Sequence, residues 1–144
     1  KLVECELENN LVWRIKQILD KFQPDIVITF HEQLGGHSDH CAIGKATTLA
    51  CLQNTPIGQQ PKLFYVAWHK ILDHAKELGM KQQLTKVNIS KSKQIKLKAF
   101  RCHRSQIELD DWLWEEDEKV MNRFNDFEYF LIANHHPKTN NLFS

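Results

Sequence analysis

Apolar positions along this chain change period several times, and each change predicts an element. Leu11, Val12, Ile15, Ile18, Leu19 and Phe22 recur at helical spacing. Asn9 or Asn10 is placed to cap that helix, and Pro24 ends it by disfavouring helix at Gln23. The unbroken run Ile26-Val27-Ile28-Thr29-Phe30 predicts a strand over Asp25–Phe30, buried on both faces as parallel strands are. A second helix is predicted from about Asp39 to Gln53, with Ala42, Ile43, Ala46, Leu49 and Ala50 on its inner face. Gly44 within it costs about 1 kcal/mol relative to Ala and marks close packing on the sheet. Residues 54–61 have loop chemistry, and Leu63–Trp68 is a second buried strand. A short helix over residues 70–78, closed by Gly79, and a short strand over Leu84–Ile89 follow. Ser90 or Ser92 caps a helix running through Ile95, Ala99 and Phe100 towards Ile107. The acidic segment 108–124 and a last strand over Asp126–Ala133 complete the pattern.

Helix, strand, helix, strand is the rhythm of an α/β sheet. A strand buried on both faces needs neighbours, and this chain supplies few. Lys1-Leu2 is not a natural start either, so an N-terminal part of the domain is expected to be missing and residues 1–144 to be the C-terminal portion of a single domain. The apolar share of 42% and charged share of 26% fit an ordinary globular protein. A net charge of +1 with scattered basic residues gives no case for nucleic acid. No apolar run approaches the ~18 residues of a membrane span. Cys5, Cys41, Cys51 and Cys102 form neither a Cys-x-x-Cys pair nor a disulfide framework, which suits reduced, inert thiols in a cytoplasmic protein.

The candidate chemistry lies in Gly35-Gly36-His37-Ser38-Asp39-His40, just past the first strand. In open α/β sheets, ligands bind beyond the carboxyl ends of the strands. Ser38 or Asp39 can cap the next helix and place His40 in its first turn, and histidines three apart can face the same way. Beside a divalent metal His40 would bind as neutral imidazole, and Asp39 would orient a neighbouring imidazole. His37 would then stabilise an oxyanion or protonate a leaving amine. The competing reading makes Ser38-Asp39 a plain helix cap and both histidines loop residues. The segment is not the Gly-x-Gly-x-x-Gly phosphate turn. His31, at the end of the strand, either lines a substrate cleft or is a surface loop residue. Asp73-His74 and His135-His136 are expected to be exposed. Trp112 and Trp114 sit among seven acidic residues between Glu108 and Glu118. They offer a carbohydrate-stacking or subunit-contact surface, or simply fold onto the body from a solvated acidic helix.

Pro24-Asp25-Ile26-Val27-Ile28-Thr29-Phe30, Gly36-His37-Ser38-Asp39-His40 and Ala42-Ile43-Gly44 resemble the second motif of the LmbE-like (PIG-L) zinc de-N-acetylases. Lys98-Ala99-Phe100-Arg101-Cys102-His103-Arg104-Ser105-Gln106 is similar to that family's C-terminal helix, and the resemblance covers roughly residues 10–133. It implies a Rossmann-like, mostly parallel sheet flanked by helices. It also implies a Zn2+ cofactor and a small amino-sugar substrate of N-acetylglucosamine type, from which an acetyl group is removed. By position His40 matches a zinc ligand, His37 the histidine that assists the tetrahedral intermediate, and Asp39 the supporting carboxylate. His103 would reach the site from behind or serve in fold and subunit packing, since members often form homo-oligomers. Two departures stand out. The family usually has Pro where Ser38 stands, and its N-terminal Ala-His-Pro-Asp-Asp-Glu motif does not occur here. That motif carries the other zinc ligands and the general base, so this chain alone is expected to be inactive. The rival expectation is a non-catalytic carbohydrate-binding or assembly module that keeps the fold without a full metal site.

Overall fold

The apolar run after Pro24 forms β1 (Ile26–Thr29), and among the described residues β1 hydrogen-bonds to a single neighbour, β2 (Lys62–Ala67). This description rests on a computed structural model and covers residues 8–53, 60–77, 84–106 and 111–133. Ahead of β1 runs α1 (Glu8–Phe22), and α2 (Ser38–Leu52) connects β1 to β2. Beyond β2 come α3 (His69–Glu77), β3 (Leu84–Asn88), α4 (Lys93–Arg101), α5 (Asp117–Arg123) and β4 (Phe127–Ile132). Short 3-10 turns occupy Ser90–Ser92, Arg104–Gln106 and Asp111–Trp114. The sheet order is β1-β2-β4-β3. The α/β class expected from the sequence is therefore present.

The direction of the strands differs in part from expectation. β1 and β2 are parallel, from Ile26 opposite Lys62 to Thr29 opposite Tyr65, as a strand–helix–strand crossover requires. β2 and β4 are antiparallel, from Phe64 opposite Ile132 to Ala67 opposite Tyr129. Ile89 N–H donates to Asp126 O at 2.7 Å, which puts the end of β3 beside the start of β4, again antiparallel. The sheet is mixed rather than mostly parallel, because an apolar run fixes burial and leaves direction to the connections.

The chain packs as two units, residues 1–85 with 129–144, and residues 86–128. In the first, β2 is the buried strand. Leu63, Tyr65 and Ala67 join Cys51, Ile71, Leu131 and Ala133 in the core. α1 lies on α2 through Val12, Ala46 and Ala50, flanked by Leu11, Ile15, Leu19 and Leu49. β1 is an apolar strand for which this chain is expected to supply few neighbours, and among the described residues it is indeed an edge strand, with Ile28 49% exposed. In the second unit Leu97, Leu113, Val120 and Phe124 form the core. Arg101 ties the turn after α4 to this core, donating from Nε to Leu113 O (2.9 Å) and from Nη2 to Glu115 O (2.8 Å), with Nη1 on Asp117. α4 accordingly stops at Arg101 instead of continuing to Ile107.

α1 begins at Glu8, so Asn9 and Asn10 lie inside its first turn instead of preceding it. At its other end Gln23 takes a left-handed φ of 45° before Pro24, and its N–H donates to Leu19 O at 2.8 Å. The three described cysteines, Cys41, Cys51 and Cys102, are free, and burial pushes the Cys51 thiol up to about 11. Trp112 packs edge-on against Phe124, whereas Trp114 stays partly exposed beneath Arg101. Asp73 and His74 are exposed as expected, with His74 Nδ1 3.1 Å from Glu77. Gly79 and His135-His136 lie outside the described residues, and no helix among the described residues is long and apolar enough to cross a membrane.

Candidate active site

The site is assembled where β1 hands over to α2. Gly44 lies in the second turn of α2, and a Cβ there would sit 2.9 Å from the Phe30 carbonyl carbon and closer still to its oxygen. Only a hydrogen at that position lets the helix touch down on the strand end, which is the close packing expected of this glycine. Four residues earlier on the same helical face stands His40, and its ring lies flat on Phe30 with centroids 4.0 Å apart and planes 5° from parallel. Trp68, just past β2, meets Phe30 edge-on at 6.1 Å. The chain turns into α2 through Gly36, whose φ of 80° suits glycine.

The helix cap is His37 itself, not Ser38 or Asp39. With φ −102° and ψ 146°, His37 precedes the helix, and its Nδ1 accepts from Asp39 N–H at 3.2 Å. Ser38 and Asp39 are then the first two residues of the helix, and His40 completes its opening turn. The two rings come together as the spacing predicted, with centroids 5.6 Å apart. Asp39 Oδ2 is 3.7 Å from His37 Nδ1, an electrostatic neighbour beyond hydrogen-bond length.

These hydrogen bonds fix which nitrogen carries the proton in each neutral ring. A backbone N–H can only donate, so His37 Nδ1 is the acceptor and its proton is on Nε2. A carbonyl can only accept, so His40 Nδ1, 3.1 Å from Gly35 O, carries the proton and Nε2 keeps its lone pair. The pair therefore presents one donor and one acceptor. His37 is 63% exposed, so its donor is accessible.

His31 is half-buried with its ring edge-on to Tyr65 at 5.0 Å, and Nδ1 accepts from Gln33 N–H at 3.1 Å. Burial holds its imidazole below the ordinary value, against a smaller opposing pull from Glu32. It is thus more enclosed than a surface loop residue, and its carbonyl and His40 Cβ each lie 3.1 Å from the place a Gly35 Cβ would take. Tyr65 extends the support inward: Thr48 Oγ1 donates to Gly44 O at 2.8 Å, which leaves the Tyr65 hydroxyl to donate to Thr48 Oγ1 at 3.1 Å. Burial raises the Tyr65 phenol. His103 is exposed in the second unit, where its N–H closes the end of α4 on Phe100 O at 2.9 Å.

For a divalent metal, the chemistry of His40 fits one ligand place: metal-bound histidines engage their second nitrogen with a carbonyl or carboxylate, as here. Among the described residues no group of three or more His, Cys, Asp or Glu gathers to hold an ion. Sequence reasoning missed Phe30, Trp68 and the Gly35 carbonyl as parts of the site. An aromatic at the end of an apolar run looks like core, and a backbone acceptor leaves no mark in sequence.

The turn that carries His37 and His40 falls within a match to a known family. Residues 4–51 match the family model described as PIG-L: GlcNAc-PI de-N-acetylase. The chain is 29% identical over 122 residues to a Bacillus subtilis protein named probable N-acetyl-alpha-D-glucosaminyl L-malate deacetylase 2, covering 85% of this chain and 52% of that one. A Bacillus cereus protein of the same name is 32% identical over 108 residues, covering 75% of this chain and 47% of the relative. The chain thus spans about half the length of these relatives. No solved structure matches it significantly. Family model and relatives point the same way as the motif at the end of β1, and together they support the PIG-L (LmbE-like) family for this chain.

Proposed function

We propose that the complete protein is a zinc-dependent de-N-acetylase acting on an N-acetylglucosamine-type substrate, and that this chain supplies one zinc ligand and the oxyanion-stabilising histidine. The observation that carries the reading is the pair of backbone contacts, Asp39 N–H on His37 Nδ1 and Gly35 O on His40 Nδ1, which calls for opposite proton placement on two adjacent imidazoles. His40 offers an Nε2 lone pair, the donor a zinc ion takes from histidine. His37 offers an Nε2–H, the group that an acetamide oxygen needs as it gains charge during attack. When His37 takes a second proton, Nδ1 loses its role as acceptor, and the Asp39 carboxylate 3.7 Å away becomes its partner. That exchange lets the ring carry charge and pass a proton to the departing amine. Zinc, when bound, would polarise the amide carbonyl and activate water for attack. The remaining ligands and the general-base carboxylate are proposed to lie in the part of the relatives' length that this chain does not span. Half-buried His31 is proposed to line the substrate side of the same loop.

The test uses the full-length protein. Wild type is expected to bind zinc stoichiometrically and to release acetate from N-acetylglucosaminyl malate or a simpler N-acetylglucosamine derivative. His40→Ala should lose zinc. His37→Ala should retain zinc and lose about 10²-fold or more in turnover. Equal zinc in folded wild type and His40→Ala would sink the ligand assignment. The rival reading is a module that keeps the fold and binds sugars without hydrolysing them. Sugar binding by the full-length protein without zinc or turnover would select it.

A further inference from the structure

We infer that Phe30 is a positioning residue for His40, clamping its imidazole in the proton arrangement that leaves Nε2 open. The inference rests, for its metal consequence only, on the reading of His40 as a zinc ligand. An imidazole on a helix surface can turn about its last side-chain bond, whose torsional preference is broad and roughly two-fold. A half-turn brings the Cδ2 edge opposite Gly35 O in place of Nδ1 and breaks the 3.1 Å bond that keeps the proton on Nδ1. One carbonyl constrains one atom of the ring. The Phe30 face constrains its plane, because at 4.0 Å and 5° every tilted orientation, including those on the way to a half-turn, drives a ring edge into the phenyl surface.

Phe30 can do this because it is itself held. Its carbonyl seats against Gly44, one helical turn beyond His40, and the edge of Trp68 abuts its ring. The same touchdown that positions α2 on β1 therefore delivers the phenyl ring under the imidazole. Side-chain carbon here does the work usually given to a polar partner. A leucine would fill similar apolar volume but offer no flat surface, so burial and clamping can be separated.

The experiment compares wild type, Phe30→Leu and Phe30→Tyr in the full-length protein, with folding checked by the backbone amide spectrum. Imidazole 15N–1H correlation spectra of the metal-free protein report the proton position, with the His40 signals identified by their loss in His40→Ala. Wild type and Phe30→Tyr are expected to show His40 protonated on Nδ1. Phe30→Leu should show a mixture of both neutral forms and bind zinc about 10- to 100-fold more weakly against a competing chelator, the scale for partners that orient a metal ligand. A Phe30→Leu protein with His40 still wholly on Nδ1 and zinc affinity within about twofold of wild type would overturn the inference. If wild type binds no zinc while Phe30→Leu alone scrambles the proton position, Phe30 still positions His40 and it is the zinc reading that fails.

Discussion

Replacing Gly44 with alanine sets two well-measured effects against each other. On helix propensity alone Gly44→Ala should stabilise α2 by about 1 kcal/mol. The structure demands the opposite sign. The new methyl would lie 2.9 Å from the Phe30 carbonyl carbon, and nearer to its oxygen, where contacts under 3.0 Å essentially never occur. Both atoms are backbone, so no rotamer change relieves the clash. α2 must lift off β1 by roughly 1 Å, and overpacking of this kind costs about 1–3 kcal/mol, here at the upper end because nothing soft yields. The net expectation is a loss of about 2 kcal/mol, or about 6 °C in Tm for a chain of this size. Urea and thermal melts of the two proteins measure it directly. The consequence reaches the site, since lifting α2 carries His40 off the Phe30 face, and a 1 Å misplacement can cost about 10²-fold in turnover. An alanine variant as stable as wild type would refute the close-packing argument. If stability fell but full-length activity did not, the coupling between this contact and His40 would be wrong.

Other outcomes follow from single residues. Gln23 spends a left-handed φ of 45° on ending α1; Gln23→Gly removes that strain but loosens the unfolded chain, so a net gain of up to about 1 kcal/mol is expected in urea melts, and a clear loss would contradict it. Among the three described cysteines, thiol alkylation followed by mass spectrometry should label exposed Cys102 first, Cys41 next and Cys51 last, because raising the Cys51 thiol from 9.0 to about 11 cuts its thiolate fraction about 100-fold; equal rates for Cys51 and Cys102 in the folded protein would refute the burial assigned to Cys51. His31 is depressed below 6.5 by burial, so as pH falls through 6.5 the unfolded chain takes up a proton that the folded chain refuses. Stability contributed by neutral His31 should therefore decline from 6.5 down to its lowered folded value and level off below it. Urea midpoints across that window should flatten in His31→Asn, which keeps an acceptor near the Nδ1 position; an unchanged pH slope would assign the effect elsewhere.

Much of the fold was legible because period changes are strong signals. The run from Ile26 to Phe30, the helix beginning near Asp39 and the strands starting near Leu63 and Phe127 all stand within a residue or two of expectation. Gly44 was legible for a related reason, since a glycine inside a helix costs enough to require a contact that only it allows. The edge position of β1 was legible too, since an apolar strand in a chain with few partners for it must leave one side open; the antiparallel run of β4 beside β2 was not, because valine and isoleucine record a tendency to be covered and not the direction of the strand that covers them. Nor was the end of α4 at Arg101, whose guanidinium reaches carbonyls at positions 113 and 115, contacts that a helical period does not record. In the site, the pairing of His37 with His40 could be read from their spacing. The cap could not: serine and aspartate outrank histidine as caps, and only the geometry shows the imidazole in that place.

That cap also accounts for the departure at Ser38. With His37 preceding the helix, Ser38 is its first residue, a position whose N–H has no partner within the helix and where proline is favoured. A residue before proline is pushed to extended backbone angles, and His37 at φ −102° and ψ 146° already has them. The backbone here is thus the one a proline at this site would impose, reached without it. The bond that sets the proton on His37 uses the N–H of Asp39, not that of residue 38, so serine leaves it intact. What serine gives up is rigidity in the unfolded chain, worth about 0.4–1 kcal/mol, and no atom of the proposed chemistry. The departure therefore bears on stability and leaves the donor on His37 and the lone pair on His40 in place.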